Sequence, residues 1–225
     1  METKSPFKES VPDMSDYIIE INELSLSHQE KLLTERASLK LRRGKTTGLV
    51  GESGSGKTLT ALAILQLLPE KISIQYGKIL FNSKDNSTVS IDTLSMKAMN
   101  RIRGRKISMI FQEPMTSLNP SMTCGAQILE AILQHSNLTR KEAIKKAKEL
   151  LNDVKLPNPD RIFNAWPHQL SGGQRQRVMI SMAISTNPEL LIADEPTTAL
   201  DVTVQKSILD LLNELKIKYN LSILF

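Results

Sequence analysis

Gly51-Glu52-Ser53-Gly54-Ser55-Gly56-Lys57-Thr58 sets a lysine and a hydroxyl residue directly after a glycine-rich stretch, between an apolar segment and a helical one. Glycines let the backbone curl until successive N–H groups and a helix N-terminus face one point, as phosphate binding requires. Lys57 supplies positive charge for β/γ oxygens, and Thr58 supplies a hydroxyl for Mg²⁺. A side-chain carbon at Gly56 would obstruct the turn. The pattern by itself specifies only a nucleotide phosphate, because GTPases, small-molecule kinases and motor ATPases share it. No Asn-Lys-x-Asp guanine-reading segment accompanies it.

Two further stretches carry chemistry. Leu190-Leu191-Ile192-Ala193-Asp194-Glu195 is an apolar run ending in two carboxylates. At the C-terminal end of a parallel strand, Asp194 would lie beside the phosphate loop and hold Mg²⁺ through water. Glu195 points elsewhere and could polarise an attacking water as general base. Leu170-Ser171-Gly172-Gly173-Gln174 is a second glycine turn at a helix start, with amides free for a second anion.

Positioning these groups demands alternating strands and helices. Thr46–Val50 reads as a short buried strand feeding the first glycine turn, and Lys57–Leu68 as a helix stopped by Pro69. Upstream, Ile19, Ile21, Leu24 and Leu26 alternate as in a strand whose partner continues through Ala37–Leu41. Strands are expected at 78–82 and 106–111, with helices over Met122–His135 and Thr139–Leu151. Thr139 and Glu142 form a capping box on the second of these. Leu170–Thr186 reads as a loop entering a helix, Leu190–Ala193 as a buried strand, Val202–Tyr219 as an amphipathic helix, and Leu221–Phe225 as a strand in which the chain stops. The alternation implies an α/β fold: a mostly parallel core sheet, an N-terminal antiparallel β subdomain and an inserted α-helical subdomain.

Composition narrows the class. A length of 225 residues allows one large domain or one domain with an insertion. With 40% hydrophobic and 24% charged residues, the chain is neither disordered, collagen-like nor a coiled-coil rod. No apolar run reaches the ~18–20 residues of a spanning helix. Residues 1–16 are polar, with Pro6 and Pro12, and read as a flexible N-terminal segment rather than a signal peptide, so an intracellular protein is expected. The lone Cys124 can form neither an intrachain disulfide nor a multi-cysteine zinc site, and reads as a small buried residue. The net charge of +5 arises in the first 110 residues. The run Lys97, Arg101, Arg103, Arg105, Lys106 reads as a solvated basic face, although an anionic partner is conceivable. With 4% aromatics there is little surface for stacking bases, and no nucleic acid is expected as a partner.

The Leu170–Gln174 pentapeptide, between the phosphate loop and the Asp194–Glu195 strand, resembles the signature of ATP-binding cassette (ABC) ATPases, and the resemblance extends from Tyr17 to Phe225. It implies a two-lobed P-loop cassette, with a RecA-like core over 17–111 and 187–225 and a helical subdomain over about 112–186. It also implies a head-to-tail dimer holding Mg-ATP between the Gly51–Thr58 loop of one copy and Ser171, Gly172, Gly173 and Gln174 of the other. Gln112, after the strand Ile107–Phe111, is similar to the family's mobile glutamine, which contacts Mg²⁺ or water and relays nucleotide state to a partner. Ala199-Leu200-Asp201 resembles the segment where the subunits touch beside the nucleotide. Lys57, Gln112 and Glu195 are thus the expected catalytic set, and Thr58, Gln112 and Asp194 the metal set.

Phe111-Gln112-Glu113-Pro114-Met115-Thr116-Ser117-Leu118-Asn119-Pro120, together with Pro167-His168-Gln169, is similar to the branch serving oligopeptide, dipeptide and nickel importers. His168, Trp166 and His135 are assigned to structure or surface. Where the family places an aromatic on adenine, this chain has Leu26-Ser27-His28-Gln29; His28 could stack its ring or could be only a turn residue. The family's switch histidine follows the strand Leu221–Phe225, so the chain resembles a fragment that binds Mg-ATP weakly and hydrolyses it poorly. The resemblance implies a peripheral ATPase subunit on the cytoplasmic face of the inner membrane. It would energise transmembrane permease subunits, serve a solute-binding protein indirectly, and pair with an identical or related second ATPase. A soluble ABC ATPase acting on ribosomes or DNA is the alternative, and a kinase using only the first loop a third reading.

Overall fold

The computed structural model describes residues 16–29, 31–112, 117–197 and 201–225. Residues 1–15 of the expected flexible segment, part of the 111–120 stretch, and Ala199 and Leu200 therefore lie outside the described residues. Among the described residues, two four-stranded sheets organise the chain. In the first, β1 (Tyr17–His28), β2 (Lys31–Arg42), β4 (Ile72–Asn82) and β5 (Thr88–Ser90) are antiparallel in the order β2-β1-β4-β5. In the second, β3 (Thr46–Thr47), β6 (Ile107–Ile110), β7 (Leu190–Ala193) and β8 (Ser222–Leu224) are parallel in the order β3-β8-β7-β6.

The skipped step in the β1 pattern, from Ile21 to Leu24, is a bulge. The register shifts there, and Glu23 adopts a φ of 50°. Gly77 accommodates it from β4: at φ 99° it lies so close that a Cβ would stand 2.6 Å from the Glu23 carbonyl oxygen.

The fully described α-helices are α1 (Lys57–Ile64), α2 (Met96–Met99), α3 (Cys124–His135), α4 (Arg140–Asp153), α5 (Pro159–Asn164), α6 (Gly172–Ile184) and α7 (Val202–Tyr219). The Thr139–Glu142 capping box is present at α4. The parallel sheet is covered on both faces, which is why all four β7 residues are buried. Leu190, Ile192 and Leu224 pack with α1 and the antiparallel sheet. Leu191, Ile110 and Ile223 pack with α3, α4, α6 and α7. Cys124 sits in this second cluster, its thiol pushed up to about 11 by burial, as expected of a packing residue.

Two expectations need correction. The stretch 46–50 is not a buried strand: regular pairing ends at Thr47, and Val50 is 93% exposed. Among the described residues β3 is the outermost strand of its sheet and pairs along one edge only, although Leu49 N still donates to Phe225 O at 2.7 Å. Helix α1 ends at Ile64 rather than Leu68. Gln66 turns into the left-handed region at φ 49°, and Arg103 seals the end, donating from Nε to Leu65 O (2.6 Å) and from Nη2 to Gln66 O (2.8 Å). Arg103 and Lys106, which pairs with Asp85 at 2.8 Å, thus leave the supposed basic face for internal duties.

Candidate nucleotide site

The first glycine turn links β3 to α1. Gly54 (φ 82°) and Gly56 (φ 90°) both adopt left-handed backbone. At Gly56 sterics reinforce the requirement, because β2 crosses over it and a Cβ would stand 2.2 Å from Thr34 Cγ2. No side chain caps α1 and no acid occupies its first turn, so its leading amides are free for an anion. Lys57 curls back over the loop, its Nζ donating to Gly51 O and Glu52 O at 2.8 Å each. Glu52, Ser53 and Ser55 are exposed around it.

The carboxylates emerge from the C-terminal end of β7. Asp194 N donates to Ile110 O at 3.0 Å, fixing Asp194 against β6, and Asp194 Oδ1 accepts from Thr58 Oγ1 at 3.2 Å. The metal pair expected from sequence is therefore brought together. Burial holds the Asp194 carboxyl above its ordinary pKa; the Thr58 hydrogen bond opposes this, the Glu195 charge adds to it and Lys57 opposes it. Glu195 has a φ of 43°, a left-handed backbone rare for a glutamate, and this sends its side chain toward β6. There Gln112 Nε2 donates to Glu195 Oε2 at 2.7 Å. A cavity of about 230 Å³ adjoins, lined among others by Gly48, Val50, Lys57, Asp194, Glu195 and Phe225.

The second turn lies elsewhere. Ser171 caps α6 through a capping box with Gln174, Oγ accepting from Gln174 N at 3.3 Å and Ser171 N donating to Gln174 Oε1 at 3.1 Å. Asp201 caps α7, Oδ1 accepting from Val204 N at 2.9 Å. These helix starts touch: a Cβ on Gly173 would stand 3.1 Å from Val204 Cγ1. Helices α6 and α7 pack on the face of the parallel sheet opposite α1. His28 ends β1 opposite Lys31 and Ile72, half-buried, while Thr34 is the residue of this hairpin that meets the phosphate loop. Sequence reasoning missed Thr34, since nothing local marks a residue that matters through a strand crossing. His168 and Trp166 lie exposed in the turn before α6, and His135 packs against Gly104.

The profile of the ABC transporter family matches residues 34–198, and the chain belongs to that family. Among curated relatives, the glutathione import ATP-binding protein GsiA of Salmonella typhimurium is 48% identical over 189 residues, covering 84% of this chain and 30% of that protein. GsiA of Escherichia coli O157:H7 is 46% identical over 207 residues, covering 91% and 33%. The chain thus spans about a third of the length of these relatives. Among solved structures, the dimeric post-hydrolysis state of the cassette MJ0796 with ADP and Pi superposes with a TM-score of 0.77 at 27% identity, covering 92% of this chain and 86% of that one. CbiO1 from Clostridium perfringens, part of the complex cbiONQ, gives 0.78 at 25% identity, covering 93% and 77%. Both support the α/β cassette fold. Among the described residues no helix is long and apolar enough to cross a membrane.

Proposed function

We propose that this chain is the ATP-hydrolysing unit of a membrane importer for peptides or a related small solute, working as a dimer on transmembrane permease subunits at the cytoplasmic face. One observation carries the reading: Lys57, Thr58, Asp194, Glu195 and Gln112 converge at one end of the parallel sheet, while Ser171–Gln174 sits at the head of a helix on its other face. A triphosphate in the first loop needs the second loop from an opposing copy. The GsiA relatives, named for import of glutathione, itself a small peptide, favour a peptide-like solute. Phe111, 44% exposed beside Gln112, offers the permease an apolar contact next to the residue that senses nucleotide.

The donor set suits Mg²⁺: a hydroxyl and a carboxylate, both hard oxygen ligands, already 3.2 Å apart. Bound to Thr58, Asp194 and Gln112, the ion would neutralise β- and γ-phosphate charge. The remaining work falls to the chain. Lys57 exchanges its loop carbonyls for phosphate oxygens. Glu195 orients a water in line with the γ-phosphorus and accepts its proton as the new P–O bond forms and the bond to ADP breaks. Ser171 and the Gly172 and Gly173 amides of the opposing copy stabilise the developing charge.

Replacing Glu195 by Gln should leave ATP bound and unsplit. Light scattering should then show a stable dimer in Mg-ATP and a monomer in its absence; a monomer at saturating nucleotide would overturn the reading.

A further inference from the structure

On the face of the sheet opposite α1, a polar seam joins α4, α6 and α7. Arg177 lies in α6, four residues beyond Gly173. Its Nη1 donates to Val154 O, at the end of α4, at 2.6 Å, and its Nη2 to Ser207 Oγ on α7 at 3.4 Å. Further along, Asp153 accepts from Tyr219 OH and from Lys218 Nζ (2.5 Å), and Lys155 pairs with Glu214 at 2.6 Å. The exposed Lys155–Glu214 pair is worth little alone. Arg177 differs: its guanidinium is half-buried and satisfies a helix-terminal carbonyl with a charge-assisted hydrogen bond.

The consequence lies at the other end of these helices. Ser171 heads α6 and Asp201 heads α7, and their first turns touch through Gly173 and Val204. The packing of Gly173 on Val204 is van der Waals contact, which carries no direction of its own. Arg177, about one turn further along α6, adds the directional constraint.

We propose that Arg177 is a positioning residue that locks the Ser171 loop to the helix headed by Asp201, so that both surfaces meet an opposing copy as one rigid unit. The dimeric role of that unit rests on the function proposed above; the locking itself does not.

Hydrogen exchange on the nucleotide-free chain tests the locking. In Arg177→Met, amides of residues 172–176 and 202–206 should both exchange about tenfold faster, the loss expected for one charge-assisted bond. Ser207→Ala removes the arm to α7, together with the hydrogen bond from Ser207 Oγ to Val204 O (2.8 Å) within that helix, and, as a milder change, guards against misfolding. Its effect should be about threefold and should still spread to residues 172–176 of α6. A change confined to the mutated helix in Ser207→Ala overturns the proposal. In the Glu195→Gln background, both variants should bind Mg-ATP as monomers with unchanged affinity yet dimerise about three- to tenfold more weakly; unchanged dimerisation also overturns it. If the Glu195→Gln parent stays monomeric while exchange at 172–176 and 202–206 rises together, the dimer reading fails and the locked pair of helices stands.

Discussion

At the scale of single residues, the site trades stability for function. Ionised Asp194 sits where burial disfavours its charge, so the folded chain keeps that proton to higher pH than the unfolded chain does. The group's contribution to stability therefore falls as pH rises through its raised pKa. Asp194→Asn removes this cost while keeping an acceptor for Thr58. The nucleotide-free variant should melt higher than the parent at neutral pH, the difference shrinking as the pH is lowered, and it should lose the Mg²⁺-dependent part of nucleotide binding. A variant that melts lower at neutral pH would show that the carboxylate is stabilising as it stands. The types and spacing of Lys57, Thr58, Asp194 and Glu195 were legible in the sequence because each is dictated by chemistry with few substitutes. The Gln112–Glu195 bond was not, since it depends on the unusual backbone of Glu195.

At the scale of elements, legibility follows locality. The bounds of β7 and α7 agree with the sequence reading, because a four-residue apolar run and an Asp201-capped amphipathic helix carry their own signals. Helix α1 ends early for a reason lying some forty positions away, at Arg103. The short α2 and α5 were passed over because their capping and proline signals are weak without a long periodic stretch behind them. The crossing of β2 over α1 is likewise invisible locally, yet it makes Gly56 doubly constrained. Gly56→Ala should destabilise the chain by at least ~1–2 kcal/mol from the left-handed backbone alone and should abolish nucleotide binding. Adding Thr34→Ala should relieve the collision without restoring full stability. Complete recovery in the double variant would show that φ was never the difficulty.

At the scale of the whole molecule, the parallel sheet separates the two glycine turns, and that separation supports the proposal that they meet across opposing copies. The chain contains one tryptophan, Trp166, 38% exposed and five positions before Ser171. Adding Mg-ATP to the Glu195→Gln protein should shift its emission to shorter wavelength as the second loop meets its counterpart, with the midpoint moving to lower nucleotide as protein concentration rises. An emission change independent of protein concentration would place the event inside one protomer. The two-sheet plan was legible because strands buried on both faces alternate with helices; which face each helix covers was not, as that is decided by packing across the sheet.

Lys57, resting on the carbonyls of Gly51 and Glu52, has a kinetic corollary. Converging amide dipoles and an ammonium repel one another, and the two carbonyl acceptors offset that repulsion within the loop. The cation braces the loop from within, so on the proposed function a polyphosphate would swap one set of oxygens for another and find its mould already cast. Capture should then run near the speed of diffusion, leaving discrimination between nucleotides to be expressed in how long each one stays.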